Sequence, residues 1–325
     1  MKHLVFGAGG QVGRSLAERL ALMGEEVFAF YRPGREVEDL RALGVRAVHG
    51  DLLDEESVRR AVSGMDNVYN CAAVAEGTAA RMQAVNVLAV NSIILACRGK
   101  QVNRIVHLSC ASVHGDATGE PIDETAPVRP ESPHARSKAE AERVVHAYFG
   151  QPDLRITVLR LPVPVGPDDA RTTLPLVAEL RARPRASFAA TPGRAVSFVD
   201  AIDAARAALA TAADDRAIGR TYLVRSFDAT PGEFAEALGR AIGIASPRGG
   251  VGRGAGILSR LWVRAGRSRR IADVWEELAR SLLVSDGRIR SELGFSPEYT
   301  LESTAARIAG AYWDREIARL GRPPE

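Results

Sequence analysis

Cysteine is scarce in this chain. Cys71, Cys97 and Cys110 are the only three among 325 residues, and their spacing suits neither pairing nor metal ligation. They fit a reducing compartment better than a disulfide framework. Aromatic residues make up 6% of the chain, and no nucleic-acid motif is present. A formal net charge of +3 is too small to argue for nucleic acid as a partner. No apolar run approaches the length of a membrane span, and no signal peptide precedes the first glycine loop. The expectation is a cytoplasmic protein with no integral membrane segment and no metal, acting on a small molecule. Hydrophobic residues at 46% and charged residues at 26% are ordinary for a globular chain. The length suits one large domain with a smaller cap.

The first half alternates short apolar runs with helical patterns. Strand-like runs occupy 3–6, 26–30, 46–49, 67–70, 104–108 and 155–159. Between them, apolar residues recur at three- and four-residue spacing, as in Val12, Leu16, Leu20 and Met23. This alternation predicts an α/β fold, a Rossmann-type doubly wound parallel sheet with ligands at the carboxyl ends of the strands. After Leu161 the texture changes, with Pro162, Pro164, Gly166 and Pro167 breaking the pattern. The reading is a dinucleotide-binding domain over 1–161, partly rejoined by 195–225. Residues 162–325 then form most of a smaller substrate-binding lid. Helices are predicted over 174–181, 200–212, 232–242 and 301–320.

The segment Gly7-Ala8-Gly9-Gly10-Gln11-Val12-Gly13 follows a strand and opens a helix. Gly7 permits a tight turn, Gly10 lets a pyrophosphate approach the backbone, and Gly13 allows close packing. Gln11 and Val12 begin the helix, whose free N–H groups and positive dipole end face the phosphates. The second strand ends Phe30-Tyr31-Arg32-Pro33-Gly34-Arg35, with no acid to bind a ribose 2′-hydroxyl. Arg32 and Arg35 match a 2′-phosphate in charge and bidentate geometry, so NADP(H) is expected over NAD(H).

The spacing of Gly7, Gly10 and Gly13 resembles that of the extended short-chain dehydrogenase/reductase superfamily, the NAD-dependent epimerase/dehydratase type. Further segments match it in order: Gly50-Asp51-Leu52, Asn70-Cys71-Ala72-Ala73, Asn86-Val87-Leu88-Ala89, Arg104–Ser109, Arg160–Pro167, Ser197–Asp203 and Leu293–Pro297. Each match is weak alone, and together they span nearly the whole chain. The resemblance implies that Asp51 and Leu52 contact the adenine. It places Ala72, Ala73, Pro162 and Val165 along the cofactor, and it implies a homodimer. It also implies a Ser or Thr that hydrogen-bonds the substrate oxygen, a Tyr that moves the proton, and a Lys that binds the nicotinamide ribose.

Two of those three side chains are replaced. Aligned on Val113-His114-Gly115, the Ser/Thr position holds Cys110, a weak donor. The Tyr position holds His134, and Lys138 is retained. A protonated imidazole is a general acid, but the neighbouring ammonium disfavours that form. Three outcomes stand. His134 replaces the acid; the substrate or water supplies the proton; or the protein only binds cofactor. Cys110 fits packing as well as catalysis, and His114 either lines the substrate pocket or fills it. His107 reads as a core residue of its strand. Between Pro247 and Ile271 there are seven arginines and no acid. They suit a lid over an anionic or aromatic substrate, a patch for an anionic membrane, or a solvated helix.

The expected activity is ketone or carbonyl reduction with NADPH, in the manner of natural-product ketoreductases. The alternatives are a nucleotide-sugar epimerase or dehydratase and a non-catalytic NADP(H)-binding protein.

Overall fold

The computed structural model describes residues 1–34, 38–115, 120–182, 194–244 and 282–320. The chain divides into two compact units. The first comprises Met1–Pro162, Ala201–Arg225 and Val284–Pro297, and the second comprises Val163–Asp200, Ser226–Leu283 and Glu298–Glu325.

The first unit is built on a seven-stranded sheet. Its strands are β1 (Lys2–Phe6), β2 (Glu26–Tyr31), β3 (Arg46–His49), β4 (Asn67–Asn70), β5 (Arg104–Cys110), β6 (Ile156–Leu161) and, after two short strands of the second unit, β9 (Thr221–Leu223). They lie in the order β3-β2-β1-β4-β5-β6-β9, and every neighbouring pair is parallel. Parallel strands buried on both faces read as near-continuous apolar runs, as Leu4-Val5-Phe6 of β1 does. The chain steps outward from β1 to β3 and returns to β4 on the other side of β1. The carboxyl ends of β1 and β4 therefore flank the switch point where such sheets hold ligands.

Six helices come from the first half of the chain: α1 (Gln11–Leu22), α2 (Glu38–Ala42), α3 (Glu55–Val62), α4 (Ala79–Met82), α5 (Ala89–Cys97) and α6 (Pro133–His146). On α1, the stripe Val12, Gly13, Leu16, Ala17 and Leu20 is buried. On the other side of the sheet, Val58 and Val62 of α3, Ile93 and Ile94 of α5, and Val145 of α6 share one apolar cluster with Leu4, Val68, Ile105 and Ile156. A π-turn over Gln83–Leu88 joins α4 and α5 into one 19-residue helix, Ala79–Cys97. Its composition is apolar enough to cross a membrane, but half of it is buried within the fold. The sequence shows no such long run because Arg81, Gln83, Asn86 and Asn91 interrupt it.

The second unit holds a three-stranded sheet in the order β10-β8-β7, with β7 Val163–Val165, β8 Val196–Asp200 and β10 Phe227–Ala229. Helix α7 (Thr173–Ala182) and the helices Pro231–Ala241 and Leu301–Leu320 supply its core with Leu176, Leu180, Phe234, Leu238 and Ile308. Phe198 stacks on Phe227 and Phe234 at 5.4 and 4.9 Å between ring centroids. Two motifs noted in the sequence have structural work here. Buried Asp200 accepts from Thr304 Oγ1 at 2.9 Å and Arg307 Nη2 at 2.6 Å, both in the second unit. In the first unit, Arg206 donates to Asp203 and to the backbone oxygen of Ser296.

Candidate functional site

The turn after β1 is held by glycine geometry. Gly7 has φ +81°, and a Cβ there would lie 2.6 Å from the Ala72 nitrogen. A Cβ on Gly13 would lie 2.3 Å from the Gly7 carbonyl oxygen, whereas one on Gly9 would meet nothing within 4 Å. The turn is thus pressed against the end of β4 on one side and against the first turn of α1 on the other. Gly10 caps α1 without a side-chain hydrogen bond, and no acid stands in the first helical turn. Helix N-terminal N–H groups favour an anion, and no acid in the first turn opposes one. This cradle fits a dinucleotide pyrophosphate. Gln11 is half-buried and Val12 buried as α1 begins.

Arg32 stands exposed just beyond β2, with no hydrogen bond or ion pair among the described residues. Arg35 and the arginine-rich segment Pro247–Ile271 lie outside the described residues. Asp51 is exposed after β3, and one of its carboxylate oxygens accepts from the Leu53 N–H at 2.9 Å. Leu52 is half-buried and packs on the core. Asn70 shapes the β4 end: its Oδ1 accepts from the Ala72 N–H at 3.2 Å and its Nδ2 donates to His107 Nδ1 at 3.1 Å. His107 is therefore a buried core residue, kept neutral because burial lowers its pKa well below the usual value. Ala73 is exposed, and Pro162 closes the first unit half-buried. Val165 belongs to the second unit, where it is fully buried among apolar side chains.

Helix α6 presents the remaining groups. Ser132 caps it by accepting from the Ala135 N–H at 3.0 Å, and Pro133 occupies the first turn. Its buried stripe includes Lys138, Ala141, Glu142 and Val145, so two charges face the sheet. Lys138 Nζ donates to the Leu108 carbonyl of β5 at 2.5 Å. An ammonium has three protons, and this one serves a single acceptor among the described residues. Burial lowers the Lys138 pKa, opposed by the fields of Cys110, Glu142 and Cys71.

His134 lies one turn before Lys138, half-buried. Its Nδ1 is 3.2 Å from the Val74 carbonyl oxygen. A carbonyl only accepts, so Nδ1 carries the proton and Nε2 of the neutral ring is an acceptor. In that state His134 can take a proton but cannot give one from Nε2; giving requires the imidazolium. Asn86 fixes this arrangement. Its side chain accepts from the Val74 N–H and donates to the Val74 carbonyl and to Ser137 Oγ, all at 2.8 Å.

Cys110 ends β5 half-buried, with Sγ 2.9 Å from Ser112 Oγ. Burial pushes its thiol up, so the sulfur stays protonated. His114 is buried. Arg160 Nη1 donates to its Nε2 at 3.0 Å, and its Nδ1 donates to the Pro127 carbonyl at 3.2 Å. Burial and then the Arg160 charge lower its pKa, consistent with a neutral ring. Arg160 also forms a buried bidentate pair with Glu142, at 2.6 to 3.1 Å. Removing either partner would leave a buried charge at a cost of ~3–5 kcal/mol. Sequence reasoning missed Glu142 and Ser112. The signal for Glu142 was its place four residues after Lys138, on the same helical face. Tyr148 is remote from this group, its hydroxyl donating to Asn91 Oδ1 at 3.0 Å.

Comparison with known proteins gives the same frame. A family model described as the NAD dependent epimerase/dehydratase family matches residues 3–224. The chain is similar to sterol demethylase protein B of Methylococcus capsulatus, 31% identical over 256 residues that cover 76% of each chain. It is also similar to 2-alkyl-3-oxoalkanoate reductase of Stenotrophomonas maltophilia, 35% identical over 191 residues that cover 56% of each chain. That second match spans little more than half of the relative. Among solved structures, a short-chain dehydrogenase/reductase superfamily protein of Agrobacterium tumefaciens with bound NAD superposes with a TM-score of 0.74. It is 20% identical, and the match covers 99% of this chain and 100% of the other. At that identity the likeness is one of fold.

Proposed function

The chain belongs to the NAD dependent epimerase/dehydratase family, and on that premise we propose that it is an NADPH-dependent reductase of an activated ketone. The observation that carries this reading is the turn before α1, pressed into place by Gly7 and Gly13 and followed by a first helical turn without an acid. A nicotinamide dinucleotide bound in its reduced form supplies the hydride. The chain's own residues hold and orient. The α1 N–H groups take the pyrophosphate, the Lys138 ammonium takes the ribose hydroxyls, and Arg32 takes the 2′-phosphate.

The proton-handling side is weaker. With Nδ1 facing the Val74 carbonyl, His134 gives a proton from Nε2 only as the imidazolium, so the proton that completes an alcohol comes from that form, from water or from the substrate. A carbonyl already made electron-poor by its neighbours asks less of such a site. The Stenotrophomonas relative is named for a 3-oxo acid, which supports that substrate class. Epimerisation and dehydration require a strong base where the phenol would stand, and they fit these residues less well.

Arg32 provides the cofactor test. Charge-assisted hydrogen bonds contribute ~1.5–3 kcal/mol, or about 10- to 100-fold in affinity. Arg32→Glu is expected to raise the NADPH dissociation constant by that factor and to leave NADH nearly unaffected. Fluorescence titration reads both. A wild type that binds the two cofactors equally would end the NADPH assignment.

A further inference from the structure

Cys110 occupies the position from which a hydroxyl would be expected to reach the substrate, yet its sulfur faces the chain's own next turn. Sγ lies 2.9 Å from Ser112 Oγ and also meets the Ser112 backbone N–H. A protonated thiol can donate to Ser112 Oγ, which leaves the Ser112 O–H to donate elsewhere. Ser112 is exposed, whereas Ala111, Val113 and His114 on either side of it are buried. The 3-10 turn Ala111–His114 is firmly held. The Val113 carbonyl accepts from the Arg129 N–H at 2.9 Å, and His114 is anchored between Pro127 and Arg160. Gly115 ends the turn at φ +74°, and a Cβ there would lie 2.2 Å from the Arg129 carbonyl oxygen. A hydroxyl on this turn is therefore presented outward at the end of β5 by a rigid support.

We propose that Ser112, rather than Cys110, supplies the hydroxyl that hydrogen-bonds the substrate carbonyl oxygen. The inference rests on the reductase reading above. In that reaction a ketone gains a hydride and a proton while NADPH is oxidised to NADP+. Ser112 keeps its own proton throughout. Its hydrogen bond strengthens as negative charge grows on the oxygen, and the proton that completes the alcohol comes from the His134 imidazolium or from water. Cys110 supports the hydroxyl from behind, so the two residues act as a pair in which only Ser112 touches the substrate.

The test compares wild type, Ser112→Ala, Ser112→Thr and Cys110→Ala in the full chain. The probe is ethyl 2-methyl-3-oxobutanoate with NADPH, and cofactor binding is read separately by fluorescence. Loss of one oxyanion donor costs about 100- to 1000-fold in turnover. Ser112→Ala is expected to lose kcat by about 100-fold, with a much smaller change in KM and an unchanged NADPH dissociation constant. Ser112→Thr keeps the hydroxyl and retains most of the activity, and Cys110→Ala loses less than Ser112→Ala. If Ser112→Ala turns over like wild type, or Cys110→Ala suffers the larger loss, the assignment is overturned. A wild type that binds NADPH but does not consume it with this ketone overturns both this assignment and the reductase reading.

Discussion

Lys138→Met is expected to abolish turnover while leaving the fold intact. The ammonium is buried at the end of β5 and donates to the Leu108 carbonyl. Methionine fills nearly the same space without a charge; the desolvation cost of the ammonium disappears while the Leu108 carbonyl loses a donor, two terms of opposite sign. The melting temperature should therefore hold. NADPH binding should not. Losing two charge-assisted hydrogen bonds to ribose hydroxyls weakens binding by about 100-fold or more. Fluorescence titration beside a thermal melt separates the two effects. A variant with wild-type affinity would mean that Lys138 is only a packing residue facing Leu108.

Gly13→Ala carries the second large effect. The added Cβ would sit 2.3 Å from the Gly7 carbonyl oxygen and 2.8 Å from its carbon, and backbone atoms cannot swing aside as a side chain can. The turn must shift, and Gly7 cannot follow freely because it already abuts Ala72. Overpacking of this kind costs ~1–3 kcal/mol, or roughly 3–10 °C in melting temperature. The displaced N–H groups of α1 should lose the dinucleotide altogether. Gly9→Ala is the matched control, since its Cβ meets nothing, and its melting temperature should stay close to wild type. Equal melts for the two variants would show that the turn is looser than its geometry.

The sheet was legible in the sequence because parallel strands buried on both faces are continuous apolar runs. The six runs found there are β1 to β6; two match end to end, the others differ by one or two residues at an end, and β3, at the sheet edge, is mostly exposed. The small sheet of the second unit was not legible. Its strands β7 and β10 have three residues each, and Pro164 interrupts β7. Length and periodicity give no signal at that size. Helix Ala79–Cys97 escaped notice for a related reason, since its π-turn breaks the 3.6-residue period.

Within the site, Lys138 and the glycines were legible because covalent spacing along the chain fixes them. His114 was not. Its two hydrogen bonds run to Pro127 and Arg160, thirteen and forty-six residues away, and only the folded chain joins them. Glu142 is the buried partner of Arg160, eighteen residues away, and only the folded chain joins them. Ser112 was eclipsed by Cys110, which holds the matching position in the motif but is turned toward its own chain.

The most direct measurement is isotope transfer. NADPH deuterated at the nicotinamide C4 is incubated with wild type and a 2-alkyl-3-oxo ester, and the product is read by mass spectrometry. One deuterium on the new carbinol carbon is the result expected from the proposed hydride transfer, which proceeds despite the altered proton donor. Bound NADPH that keeps its deuterium, with the ketone unchanged, would contradict the account and leave a cofactor-binding protein without this chemistry.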